Sequence, residues 1–397
     1  MTSGSWKALI GLFVLTMGTS IITPLLPLYR SHFGISNATA TALFVTYTIT
    51  VVPTMLVAGN LADRVGRKHL LIPALAVMTV ASLVFALAES VPMLFAGRVL
   101  QGLAIGGFLG VGTAFVVDHA RPAQRALAAA LAGVAFRLGF GLGPGLGGLI
   151  AQYGPNPRHT PFWGHIAVMV VGIVAVATAA ETLKDAPSRG TPFRIRIGVP
   201  EGQVLGFMTF IVPAAFTMSF MEGTVLSVVP LFMVEDLGVT NIALVGAVGF
   251  LVLGLGGITP FLVRNVDPRR AILVALPISA ALTFLVVGSA ATNSALMVVV
   301  AAAAIGFVNG ALLYGGTVIA GIMTPLHERG KLMSLLYMSA YAGTIPTVAL
   351  GALSDRVGLT TTLLVFSICA AVLAAFVVLV GSRLFPEVVP YQEAEHA

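Results

Sequence analysis

Charge is the scarcest property of this 397-residue sequence: Asp, Glu, Lys and Arg together make up 9% of it. A water-soluble domain carries roughly 25%, because its surface must be hydrated. With hydrophobic residues at 57%, most of the outer surface has to meet lipid. Cysteine is rarer still. The single Cys369 lies in an apolar stretch, which excludes an intrachain disulfide and any cysteine-built metal site. No G-x-x-x-x-G-K-S/T loop and no His-Glu-x-x-His pair occurs, so nucleotide hydrolysis and zinc chemistry have no visible seat, and no metal or cofactor is expected. The 7 His residues are scattered and supply no convergent cluster, so an enzyme is not expected. The net charge of +6 does not mark a nucleic-acid binder. The basic residues sit in short runs between apolar stretches, as loops facing an anionic leaflet do.

A membrane-crossing helix needs roughly 20 mostly apolar residues. Runs of that kind fall at 7–29, 41–62, 69–88, 92–117, 126–152, 162–181, 204–232, 241–263, 271–288, 295–323, 331–354 and 360–381. They are called spans 1 to 12 below. Lipid offers the backbone no hydrogen-bond partners, so the runs must be helices. A barrel would instead alternate polar and apolar in segments of roughly ten residues. The run after Lys7 reaches Tyr29 without an A-x-A-like site and reads as a retained span, not a signal peptide. If the chain starts in the cytoplasm and alternates, sixteen basic residues, from Lys7 to Arg383, fall on the cytoplasmic side. Only Arg30, Arg158 and Arg356 fall on the other. That bias supports the span count and places both termini in the cytoplasm of a multi-pass inner-membrane protein.

The two halves of the chain also resemble each other at an offset of about 203. Pro27-Leu28-Tyr29 matches Pro230-Leu231-Phe232, Arg67-Lys68 matches Arg269-Arg270, Arg125 matches Arg329, and the Gly139/Gly147 pair matches Gly343/Gly351. The spacing indicates a duplication: an all-α polytopic fold of two six-helix bundles related by a parallel repeat, with a solute site at mid-membrane between them. The boundaries expected are 1–181 for the first bundle, 182–203 for a cytoplasmic linker rich in Pro, Gly, Ser and basic residues, and 204–397 for the second bundle and a short tail.

The loop after span 2 reads Gly59-Asn60-Leu61-Ala62-Asp63-Arg64-Val65-Gly66-Arg67-Lys68. A plain basic loop would account for the Arg and Lys but not for the Gly, Asp, Gly spacing. The segment resembles the G-x-L-A-D-R-x-G-R-K signature of the major facilitator superfamily at every specified position. The resemblance implies an alternating-access carrier. It further implies that Gly59 allows close helix packing, and that Asp63, with the Arg64, Gly66, Arg67 and Lys68 positions that follow it, forms a charge network latching the halves on the cytoplasmic side. The counterpart in the second half, Arg264 to Arg270, has Asn265 where Asp63 sits, so the latch is expected in one half only.

Span 5 carries Gly139-Phe140-Gly141-Leu142-Gly143-Pro144-Gly145-Leu146-Gly147-Gly148. Gly143, Gly145 and Gly148 fit a dinucleotide fingerprint, but that needs a strand before it. Gly139, Gly143 and Gly147 recur every four residues, as a helix-packing stripe does. With Pro144 and Gly148 the segment resembles the G-x-x-x-G-P-x-x-G-G motif of the drug:proton antiporter branch, which implies export. Gly18, Pro24 and Pro27-Leu28-Tyr29 of span 1 resemble the first-span motif of its twelve-span members. Arg98, Gln101 and Gly102 of span 4 resemble the R-x-x-Q-G element that the superfamily ties to proton transfer or substrate binding. A second signature-like run, Gly351 to Gly358, falls at the outer end of span 11 and reads as a helix end with a solvated ion pair at Asp355 and Arg356.

Ionisable groups inside a bilayer are functional candidates by default. Away from helix ends there are three, Arg98, Arg137 and Glu222, whose repeat mates Ala302, Tyr341 and Thr19 are uncharged. One reading is an ion pair that merely holds the bundle together. The sharper one is proton coupling. A carboxyl group in a dry cavity takes up a proton more readily than one in water or beside an Arg. Glu222 would then load and release protons, with Arg98, Arg137 and Gln101 tuning it or holding an anionic substrate group. Asp118 and Glu181 sit near helix ends and read as solvated. Tyr314, Tyr337, Tyr341 and Asn309 could line a cavity for an amphipathic solute or simply pack. The expected function is proton-coupled efflux of small amphipathic compounds by a monomer embedded in the bilayer. The alternatives are an exporter of one metabolite (a sugar, siderophore or self-made antibiotic) and, in another class, a receptor on a transporter scaffold.

Overall fold

A computed structural model describes residues 1–182, 199, 203–323 and 329–385. The side chains of Asp63 and of residues 329–331 lie outside the described set, as does most of the linker expected at 182–203. Among the described residues there is no strand, and 12 helices are long and apolar enough to cross a membrane. They are Ser3–Phe33, Asn37–Ala62, Arg67–Ala86, Val91–Asp118, Pro122–Tyr153, Thr160–Ala177, Val204–Glu235, Ile242–Leu262, Pro268–Thr292, Ala295–Ile322, Leu332–Val357 and Leu359–Leu384. Each coincides with one of the twelve apolar runs and keeps its span number.

The helix ends differ from the hydropathy edges because caps, not apolarity, stop a helix. Span 1 begins ahead of Lys7, where Thr2 Oγ1 accepts from Ser5 N at 3.2 Å. Span 9 runs on to Thr292 and ends at Asn293 in the left-handed region, φ 47°. Three spans are interrupted where proline withholds its N–H. Span 1 breaks after Ser20, ahead of Pro24 and Pro27. Span 7 breaks at Val228, ahead of Pro230, and span 11 breaks ahead of Pro346. Pro144, by contrast, lies inside the unbroken helix Arg125–Tyr153.

Span 5 presents glycine on two faces. A Cβ on Gly139 would stand 2.4 Å from the Phe13 carbonyl oxygen, and one on Gly143 2.3 Å from that of Met17. These positions pack on span 1 of the same bundle. A Cβ on Gly148 would stand 2.7 Å from the Ile242 carbonyl oxygen and 2.9 Å from Gly246 Cα, while one on Gly246 would meet the Pro144 oxygen at 2.4 Å. This second face packs on span 8 of the other bundle. Backbone-to-backbone contact of this kind is how helices associate where lipid supplies no hydrophobic drive.

The bundles meet along spans 5 and 8 and along spans 2 and 11. Their polar contacts run from the membrane centre to the face opposite the N-terminus. Thr344 Oγ1 bonds Thr48 Oγ1 at 3.2 Å, and Arg30 pairs with Glu235 at 3.1 Å. Toward the N-terminal face, spans 2, 4 and 11 stand apart around a cavity of about 280 Å³. Gly59 and Gly110 border it, and nothing beyond their own helix turn lies within 4 Å of where their Cβ would be, so Gly59 does not make the close helix packing expected of it. Among the described residues, the bundles are thus closed together at the opposite face and stand apart at the N-terminal one. The expected consequence is a contrast between two alanines. Gly246→Ala lowers stability by about 1–3 kcal/mol through overpacking, whereas Gly110→Ala leaves it unchanged or slightly raised. Thermal unfolding of purified protein in one detergent checks both.

Candidate functional site

At mid-membrane, between the bundles, lies a cavity of about 160 Å³. Aromatic rings line it from three helices: Phe44 and Tyr47 from span 2, Phe136 and Phe140 from span 5, Tyr337 and Tyr341 from span 11. Spans 2 and 5 belong to one bundle and span 11 to the other. Aromatic rings are rigid, amphipathic surfaces that stack on flat solutes at low entropic loss.

One ion pair crosses this cavity. Arg137 Nη1 of span 5 donates to Glu222 Oε1 of span 7 at 2.8 Å, with the two side chains only 8% and 12% exposed. Span 8 makes room for it. A Cβ on Gly257 would stand 2.9 Å from Arg137 Cβ, and one on Gly256 3.5 Å from Arg137 Nη1. The pair therefore ties the two bundles together at the centre of the bilayer, where a charge without a partner is costly. Tyr341, the repeat mate of Arg137, lines the same cavity.

Arg98 and Gln101 do not join them. Arg98 is wholly buried one layer behind the cavity, its Cζ 4.2 Å from the Tyr47 ring centroid and 5.6 Å from that of Phe44. Its guanidinium donates to Leu43 O at 2.9 Å, to Thr19 O at 2.8 Å, to Gln101 Oε1 at 2.8 Å and to Phe44 O. Gln101 Nε2 donates to Gly18 O at 2.9 Å. Gly18 and Thr19 are among the last residues of the first helix of span 1, whose carbonyls have no helical donor ahead of them. Arg98 and Gln101, three residues apart on one helix face, supply those donors and pin the break in span 1 to spans 2 and 4.

The signature loop forms a network within the first bundle. Gly66 turns the chain at φ +98°. Glu181 Oε1 and Oε2 accept from Arg67 N at 3.2 Å and Lys68 N at 2.9 Å, capping span 3, and Arg67 pairs with Asp118. A Cβ on Gly66 would meet Glu181 Oε2 at 2.7 Å, so both conformation and space require glycine here. Asp118 and Glu181 are thus engaged, not merely solvated. The side chain of Asp63 lies outside the described residues, and Arg64 sits exposed at the end of span 2. In the second bundle Arg269, the mate of Arg67, donates to Phe385 O at 3.0 Å and Ser382 O at 2.8 Å. Carbonyls there replace the carboxylates.

Two tyrosines proposed from sequence reach the cavity, but Tyr314 and Asn309 do not line it. Tyr314 donates to Arg264 O at 2.9 Å, and Asn309 Oδ1 accepts from Ser279 at 2.8 Å. The Asp355 region also departs from the sequence reading. Its carboxylate accepts from Asn37 N at 2.8 Å and Ala38 N at 3.0 Å across the bundles. Asp355 is exposed, as a solvated helix end is, yet its carboxylate also sits on the amino terminus of span 2. Gln152, overlooked because it is neutral, accepts from Ile242 N at 2.6 Å.

Comparison with known proteins agrees with this architecture. The sequence profile of the Major Facilitator Superfamily matches residues 8–348. Multidrug resistance protein 2 of Bacillus subtilis (strain 168) is 29% identical over 45% of this chain and 43% of its own length. Multidrug resistance protein 1 of the same strain is 25% identical over 52% of this chain and 51% of its own. The matched part therefore spans about half the length of these relatives. A bacterial homologue of the human lysosomal transporter Spinster superposes with a TM-score of 0.74 at 16% identity, covering 99% of this chain and 100% of that one. A POT family transporter in complex with 5-aminolevulinic acid gives 0.78 at 12% identity, covering 96% of each. At such identities the likeness is one of fold.

The Arg137–Glu222 geometry sets a measurable expectation. Arg137→Leu or Glu222→Leu alone strands a charge at the cavity wall and lowers stability by roughly 1–3 kcal/mol, less than for a sealed pair because the cavity is open to water. The double variant recovers part of that loss. A double-mutant cycle read by thermal unfolding measures the coupling, and additive losses would refute it.

Proposed function

The chain belongs to the Major Facilitator Superfamily, and from that premise we propose that it exports small amphipathic compounds in exchange for protons by alternating access. The observation that carries this reading is the Arg137–Glu222 pair spanning the aromatic cavity between the bundles. With Glu222 ionised, Arg137 holds the two bundles together at the membrane centre. Protonation of Glu222 removes one charge of the pair, loosens that tie, and leaves Arg137 free to face a substrate dipole or anion. Arg137 itself keeps its proton, because a guanidinium does not usefully release one. The carboxyl group is therefore the carrier of the coupling ion. Its access switches from one face to the other as the bundles rock.

The solute is held chiefly by ring stacking and apolar contact, which suits a range of flat, amphipathic molecules in place of one hydrogen-bonded metabolite. The glycine and proline pattern of span 5 and the names of the bacterial relatives both favour export. The charge bias favours an orientation with the N-terminal face in the cytoplasm. In that orientation the structure is inward-open, ready to load cargo from the cell. A proton moving inward gains about 2.3 kcal/mol per 100 mV, enough to drive appreciable efflux. We take the working unit to be a monomer, since one chain builds the whole cavity.

Two outcomes are expected. In proteoliposomes, an imposed pH gradient drives a panel of amphipathic dyes across the membrane, and Glu222→Gln loses at least about tenfold of that gradient-driven flux while retaining substrate counterflow. A variant with wild-type pH dependence would remove Glu222 from the coupling. Alkaline phosphatase fused at Asn156 is active, whereas a fusion at Arg121 is inactive; the reverse pattern would invert the orientation.

A further inference from the structure

We propose that Gln152 and Asp355 are repeat-related gate residues: they hold the face opposite the N-terminus shut and set how often the cavity opens there. The inference rests on the alternating access proposed above. Asp355 sits on span 11 in the second bundle and accepts from the first two amides of span 2 in the first bundle, Asn37 N at 2.8 Å and Ala38 N at 3.0 Å. Gln152 sits on span 5 in the first bundle and accepts from the first amide of span 8 in the second, Ile242 N at 2.6 Å. Residues 152 and 355 are 203 apart, the offset of the duplication. The two contacts are thus one contact made twice, with the bundles exchanging roles.

The seat beneath each is duplicated too. Gly148 and Gly351 lie four residues before Gln152 and Asp355 and are again 203 apart. The structure sets this register one residue away from the sequence pairing of Gly147 with Gly351. A Cβ on Gly351 would stand 2.0 Å from Thr41 Oγ1 and 2.7 Å from Asn37 O, and one on Gly148 2.7 Å from Ile242 O. Each glycine brings its helix close enough for the residue one turn later to reach across.

Neither contact is needed to start the helix it touches. Span 2 has its own cap, Ser36 Oγ accepting from Thr39 N at 3.1 Å, and span 8 has Asn241 Oδ1 accepting from Leu244 N at 3.2 Å. The amides taken by Asp355 and Gln152 are surplus to those caps. They lie at a membrane surface where water replaces the lost partner when the bundles part. The bonds are therefore breakable, and their role is between bundles. A third cross-bundle contact on this face, Arg30 with Glu235, is 33% and 25% exposed, and Asp355 is itself exposed; what sets Asp355 and Gln152 apart is that their partners are backbone amides, fixed in place by a helix end, and not a second mobile side chain. The two latches are unequal. A carboxylate on two amides at a helix amino terminus is a stronger fastening than one neutral amide oxygen on one.

The test counts openings. In a Cys369→Ser background, Ser219→Cys, which lines the cavity, is labelled by a membrane-impermeant maleimide added at the face opposite the N-terminus of sealed proteoliposomes. Its rate follows the fraction open to that face. Asp355→Ala is expected to raise the rate roughly tenfold to a hundredfold and Gln152→Ala roughly threefold to tenfold. The double variant approaches the product of the two, since the latches lie on separate seams. Asp355→Asn, which keeps the shape and one acceptor, falls between, and Ser36→Ala leaves the rate at its starting value. Equal rates in all variants, or Ser36→Ala matching Asp355→Ala, would overturn the gate. No labelling from that face in any variant, with normal labelling from the other, would instead overturn alternating access.

Discussion

Lipid gives a backbone amide or carbonyl nothing to bind, and every backbone group of this chain that crosses the bilayer must find its partner inside the protein. Uninterrupted helices meet that demand by themselves. Helix ends and interruptions do not, and several draw in a side chain from another helix. Where span 1 breaks, Arg98 and Gln101 reach its last carbonyls. Where span 3 begins, Glu181 reaches its first amides. Where spans 2 and 8 begin, Asp355 and Gln152 do so from the opposite bundle. Three of the charges set away from the basic loops, Arg98, Glu181 and Asp355, serve these repairs, and Arg137 and Glu222 form the central pair.

That same demand explains what could be read from the sequence. Twelve spans were legible because a crossing helix needs a fixed length of apolar residues, and no soluble function competes for such runs. Arg137 and Glu222 were legible because a charge inside lipid calls for a partner, and few candidates existed. The same rule misplaced Arg98 beside Glu222. Its partners are backbone carbonyls, present at every position and therefore without a sequence signal. Gln152 was illegible for another reason, since a neutral amide at a helix end stands out in no charge scan. Asp355 stood out as solvated, and it is exposed, but its backbone partners in the other bundle carry no sequence signal. Projecting one half onto the other at offset 203 places the two together, so the information was present in the repeat.

The duplication accounts for the scaffold, and the chemistry lies in its departures. Span 5 remains whole at Pro144, while span 11 breaks ahead of Pro346. Arg67 meets a carboxylate where Arg269 meets carbonyls. Arg137 faces the cavity where its mate is Tyr341, and Glu222 corresponds to Thr19, whose hydroxyl oxygen is buried without a hydrogen-bond partner. A symmetric pair of bundles would present every charged group to the cavity twice. Among the described residues that line it, these substitutions leave one carboxylate and one guanidinium, each from a different bundle.

The clamp on span 1 also bears on how the protein is made. The carbonyl of Thr19 waits for a guanidinium that lies 79 residues later in the chain, on a helix not yet synthesised when span 1 enters the membrane. Until span 4 arrives, those carbonyls have no donor of the kind that Arg98 and Gln101 provide. The break itself is local, set by the prolines of the first span, but the side-chain donors for its free carbonyls come only with the fourth.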